Sequence, residues 1–79
     1  MARVLLFGRL ADVAGWRDRV IEAPSLSALR ARLVAEDAGL AEALAVRGVQ
    51  VALDQVIVRG DAALSAATEV AFLPSMSGG

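Results

Sequence analysis

The chain has no cysteine, no histidine and no lysine. Without cysteine there is neither a disulfide framework nor a thiolate nucleophile, and without histidine the commonest general base and metal ligand is missing. Together these absences remove most hydrolytic and metal-dependent enzymology. No apolar run approaches the ~20 residues that a membrane span needs, and Arg9 interrupts the short apolar stretch that could imitate a signal peptide. The expected compartment is the cytoplasm, with no membrane partner. All eight cations are arginines, dispersed along a chain of net charge -1. Because neutralising phosphates takes several cations on one surface, nucleic acid is not expected as a partner. No phosphate loop of the G-x-x-x-x-G-K-[ST] kind is present, so the chain is expected to bind no cofactor itself and to hold no ATP.

What is present describes one small domain. Seventy-nine residues bury only about 60% of their unfolded surface, so the core must be compact. The 57% apolar content is raised by alanine, but Leu, Val and Ile run the whole length, which disorder would not permit. Arg3 to Gly8 is short, apolar and rich in strand formers, with Val4 and Leu6 alternating against Leu5 and Phe7. Leu10 to Ala14 is one or two helical turns closed by Gly15, and Trp16 is a lid at the core edge. Arg17 to Ala23 reads as a second strand, the hairpin partner of the first, stopped by Pro24. Ser25 is an N-cap, and Leu26, Leu29, Leu33 and Val34 lay an apolar stripe along a helix reaching Glu36. Asp37-Ala38-Gly39 is expected to break it before a short helix over Leu40 to Val46. Val49 to Leu53 resumes strand chemistry, Asp54-Gln55 turns the chain into Val56 to Val58, and Gly60-Asp61 is a further turn. Ala62 to Thr68 shows no clear period, and Glu69 leads into a last strand, Val70 to Leu73.

This order predicts an α+β fold: a mixed sheet of four to five strands with one main helix on one face. Residues 1–74 form the domain and residues 75–79 a flexible tail. Alternation sends Val4, Leu6, Val56, Val58, Val70 and Phe72 toward the helix, and Phe7, Ile57, Leu73 and Leu5 outward. Those outward residues either form one apolar patch or lie under loops.

The sequence closes on Pro74-Ser75-Met76-Ser77-Gly78-Gly79. A Gly-Gly end has no Cβ, so it can stay extended in a channel too narrow for a side chain, with its carboxylate at the tip. Such an end can enter another protein's active site.

Val4-Leu5-Leu6-Phe7-Gly8-Arg9-Leu10, the Pro24-Ser25-Leu26-Ser27-Ala28-Leu29 helix start, and above all Glu69-Val70-Ala71-Phe72-Leu73-Pro74 running into Ser77-Gly78-Gly79 resemble the small, sulfur-carrying subunit of molybdopterin synthase. The resemblance spans essentially the whole chain. It departs only at turns: Ser65-Ala66-Ala67-Thr68-Glu69, Pro74-Ser75 and Asp54-Gln55 stand where that family often has Asp-Gly-Asp-Glu, Pro-Pro and an Asn-containing turn. It implies the ubiquitin-like β-grasp fold and a non-catalytic carrier whose active site lies on the large synthase subunit, within a heterotetramer. It also implies that an ATP-dependent adenylyltransferase activates Gly79 as an acyl-adenylate. A persulfide-derived sulfur then makes the thiocarboxylate that delivers sulfur to cyclic pyranopterin monophosphate. Gly78 is the slender spacer, and Phe7, Ile57 and Leu73 are the docking residues. Three other readings stand beside it: a sulfur carrier for thiamine thiazole or another thiolated metabolite, a protein modifier like ubiquitin, and an interaction module with incidental glycines. Lacking lysine, the chain offers no side-chain amine for building chains of modifiers.

Overall fold

The computed structural model describes residues 2–75. The elements are β1 (Ala2–Leu6), α1 (Arg9–Ala14), β2 (Asp18–Ile21), α2 (Leu26–Glu36), α3 (Ala38–Leu44), β3 (Gln50–Leu53), β4 (Val56–Val58) and β5 (Glu69–Leu73). The strands form one sheet in the order β2-β1-β5-β3-β4. β5 lies in its centre, parallel to β1 and antiparallel to β3, and the β1–β2 and β3–β4 pairs are antiparallel. This is the expected mixed sheet, with five strands. Among the described residues, no helix is long and apolar enough to cross a membrane.

Alternation in the strands decides which face is covered. Ala2, Val4 and Leu6 of β1, Val70 and Phe72 of β5 and Val51 of β3 are buried with Leu26, Leu29 and Leu33 of α2 and Leu40, Ala43 and Leu44 of α3. Phe72 is wholly buried at the middle of this layer. At about 25 cal/mol per Å² of apolar surface removed from water, such side chains supply most of the domain's cohesion. Trp16 is partly buried against this core, as a lid at its edge would be, and the Arg19 guanidinium lies 4.9 Å from its ring centroid.

Local chemistry explains the helix ends. Ser25 Oγ accepts a hydrogen bond from the Ala28 amide at 3.1 Å, and Asp61 holds the same end by accepting from the Ser27 amide at 2.8 Å and the Ser27 hydroxyl at 2.9 Å. These bonds, the backbone one first, keep the Asp61 carboxyl below its ordinary range. Asp37 alone separates α2 from α3. Its backbone is extended, its amide donates to Leu33, and its Oδ1 accepts from the Leu40 amide at 3.0 Å. Ala38 and Gly39 are therefore helical, not part of the expected three-residue break, because one N-capping aspartate restarts the helix.

Two face assignments change. Val34 lies on the exposed side of α2, since Leu26, Leu29 and Leu33 already complete the buried stripe. Val56 pairs with Leu53 and so belongs to the covered face by register, yet it is 64% exposed. It sits on the edge strand at the turn, beyond the helices' reach. The stretch before β5, which lacks any period, is held by backbone bonds: the Leu26 amide donates to Ala62 and the Leu64 amide to Pro24, while Leu64 packs against the core.

Candidate functional site

The face opposite the helices carries its own pattern. Register sets Leu5, Ala71, Ala52 and Ile57 level with one another on four consecutive strands, β1, β5, β3 and β4. Ala71 and Ala52 are buried and Leu5 is half-buried, although the core cluster on the far side does not include them. Ile57 closes the row at 45% exposed. One step toward the C-terminal end of β5, Leu73 is half-buried and pairs with Gln50. Phe7, 44% exposed, continues β1 by donating its amide to Phe72 at 3.2 Å. The structure therefore brings Phe7, Ile57 and Leu73 onto one sheet face, joined by a row of smaller apolar side chains, and no helix covers them. On the β2 side the row ends at Asp18, which Arg3 holds through its Nη2 at 2.6 Å. That hydrogen bond first, with the attraction of opposite charges beside it and partial desolvation opposing both, sets the Asp18 carboxyl below its ordinary range and raises Arg3. Both side chains are about half exposed, so water screens the pair.

The chain leaves the sheet at the end where β5 stops, next to α1 and the end of α3. Gly8, between β1 and α1, has φ +55°, and a Cβ there would stand 3.0 Å from Pro74 Cγ. Gly48, between α3 and β3, has φ +94°, and a Cβ there would stand 2.7 Å from Ser75 Oγ. Pro74 and Ser75 thus pass between two backbone positions that favour glycine for both conformation and space. Nothing in the sequence distinguishes these glycines from ordinary turn glycines, so their role was not readable there. Gly78 and Gly79, with Met76 and Ser77, lie outside the described residues.

The arginines, dispersed in sequence, are not dispersed in space. Arg3 pairs with Asp18, and Arg19 and Arg32 pair with Glu36. Among the described residues, Arg9, Arg17, Arg30, Arg47 and Arg59 form no ion pair. Arg9 and Arg47 line a cavity of about 310 Å³ with Pro74 and Ser75. Arg30 and Arg59 line another of about 280 Å³ beside Val49 and Gln50, and the Arg30 guanidinium lies 5.8 Å from the Phe72 ring centroid. Arg17 precedes β2, its carbonyl accepting from the Leu6 amide at 2.9 Å. Register puts Arg17 and Arg59 at the end of the sheet where β5 terminates, and the cavities bring Arg9 and Arg47 beside Pro74 and Ser75 and Arg30 beside Val49 and Gln50 at that end. Sequence spacing did not show that these arginines share one end of the sheet.

Five strands in this order, with helices on one face and the last strand in the centre, define a ubiquitin-like β-grasp domain. The fold is shared with the crystal structure of SAMP1 from Haloferax volcanii (TM-score 0.83, 23% identity, 99% of this chain and 98% of that one). It is shared too with the solution structure of small archaeal modifier protein 1 from Methanosarcina acetivorans (TM-score 0.87, 17% identity, 99% and 95%). No curated protein matches the sequence. Residues 4–79 match the ThiS family, and the chain belongs to that family.

Proposed function

We propose that this chain is the sulfur carrier of a molybdopterin synthase. The observation that carries the reading is the β5 string Glu69 to Pro74: its strand occupies the sheet centre, and its sequence runs through Ser77 to Gly78-Gly79 within the ThiS-family match. A tail rooted there leaves at one end of the sheet and keeps the uncovered apolar face free, so one patch can dock while the tail reaches inward.

A carboxylate is a poor electrophile. The Gly79 carboxylate attacks the α-phosphorus of ATP on an external adenylyltransferase, pyrophosphate leaves, and an acyl-adenylate remains. A persulfide sulfur then attacks the acyl carbon and AMP leaves, after which a thiol reductant cleaves the acyl disulfide to the thiocarboxylate. That sulfur is the nucleophile delivered to cyclic pyranopterin monophosphate in the large subunit, which supplies the acids and bases. Gly78 keeps the approach narrow, and Phe7, Ile57 and Leu73 form the docking patch. The chain itself binds no cofactor.

The test is intact mass spectrometry after incubation with ATP, an adenylyltransferase and a sulfur source. Replacement of one terminal oxygen by sulfur is expected, and its absence overturns the carrier reading. Deleting Gly79 should abolish the exchange, whereas an interaction module would keep its binding. Transfer to the pterin precursor with the large subunit then tests the substrate. The ThiS-family match favours a second reading, sulfur delivery to thiamine thiazole, which predicts transfer to the thiazole precursor instead. Covalent attachment of the chain to protein amines would mark a modifier.

A further inference from the structure

Among the described residues, five arginines without an ion pair lie toward the end of the sheet where β5 stops, and two of them, Arg9 and Arg47, line a cavity with Pro74 and Ser75. We infer that this pole is a docking surface for an acidic surface on the enzyme that takes up the tail, an inference that rests on the carrier reading and adds a partner chemistry to it. Arg9 and Arg47 line one cavity together with Leu10, Val46 and Val49, and Arg30 and Arg59 line another that also includes Val49. Guanidinium groups beside apolar walls suit carboxylates presented by a protein, because the fork binds a carboxylate in two bonds while the walls exclude water.

The placement of the remaining charge supports the same occupant. Asp54 and Glu69 stand together at the opposite end of the sheet, the Glu69 amide donating to Asp54 Oδ1 at 2.9 Å. Asp12 and Glu42, on the helices, form no ion pair with these arginines among the described residues. Asp61 lines a cavity with Arg30, so the excess of positive charge at this end rests on Arg9, Arg17, Arg47 and Arg59, and a net charge of -1 conceals a separation that can orient the domain as it approaches. Nucleic acid fits less well, since its phosphates repeat along a track and the two arginine pairs instead line two separate cavities, one of them at the root of the tail.

The test measures adenylation of the full chain by its adenylyltransferase at several salt concentrations, for wild type, R9Q/R47Q/R59Q and a control, R3Q/R32Q. The first variant should lose about tenfold in kcat/KM at low salt, with the loss in KM and with a flattened salt dependence. The control should match wild type. Circular dichroism and thermal unfolding confirm that each variant is folded. Equal kcat/KM and equal salt dependence in all three would overturn the docking surface while leaving the carrier reading intact. If wild type forms no adenylate at all, the carrier reading fails, and fluorescence polarisation with a labelled glutamate-rich peptide decides this inference separately. Binding lost in R9Q/R47Q/R59Q supports it. Tighter binding of a single-stranded oligonucleotide of equal charge overturns it in favour of nucleic acid, and no peptide binding overturns it as well.

Discussion

The two faces of one sheet are built from the same residue types and put to different uses. On the covered face, Val4, Val70, Phe72 and Val51 meet the leucines of α2 and α3 and lose nearly all contact with water. On the open face, Leu5, Ala71, Ala52 and Ile57 form an equally apolar row with no helix over it. The difference lies in side-chain size. Large residues fill the centre of the covered face, while two alanines keep the centre of the open face low and Phe7, Ile57 and Leu73 stand around them. A shallow apolar surface with a raised rim accepts a partner without demanding one for stability.

The largest test of this contrast is paired truncation. Phe72→Ala should cost about 3–5 kcal/mol in denaturant unfolding because it leaves a cavity in the core, whereas Phe7→Ala should stay within about 0.5 kcal/mol. Equal costs would mean that the open face is part of the core. Next, Phe7→Asp or Leu73→Asp should weaken association with the adenylyltransferase or the large subunit by at least ~2 kcal/mol in titration calorimetry. Unchanged binding would remove that residue from the docking patch.

Backbone strain sharpens the comparison at the borders. Gly8 and Gln55 both have positive φ, +55° and +71°. Gly8→Ala should cost at least about 1–3 kcal/mol, since its backbone, at φ 55° and ψ -131°, lies where a side chain is strained and this one also meets Pro74. Gln55→Gly should gain about 1 kcal/mol in the β3–β4 turn, read by thermal unfolding. Asp54, its neighbour at φ +48°, differs because its carboxylate accepts from the Glu69 amide.

The smallest effect is that of acid. Asp18, Glu36 and Asp61 are all held below their ordinary ranges by hydrogen bonds, chiefly from Arg3, from Arg19 and from the Ser27 amide. A carboxyl whose folded value is lowered adds stability above its unfolded value, and that stability is lost as pH falls through the folded one. The unfolding temperature should therefore be level above about pH 5 and decline below about pH 4. A decline centred near neutrality would contradict these assignments.

Much of this fold was readable because strands of period two and one leucine stripe announce themselves. Ser25 before Leu26, the Asp54-Gln55 turn and the outward set of Phe7, Ile57 and Leu73 all followed from local rules. What escaped depended on distance. Val56 has the right parity but sits past the end of the helices, and Val34 neighbours the stripe without joining it. The pole of arginines could not be seen because residues 9, 17, 30, 47 and 59 lie far apart in sequence and reach one end of the sheet only through the tertiary packing of strands and helices. Gly8 and Gly48 likewise acquire their purpose from Pro74 and Ser75, which reach them from the other end of the chain.

The central position of β5 has a mechanical consequence. Its hydrogen bonds to β1 and β3 run across the strand, so a pull applied along the tail loads both ladders together in shear instead of peeling them one rung at a time. Tension transmitted into β5 would therefore be shared by the whole sheet, and the body behind it would hold its shape.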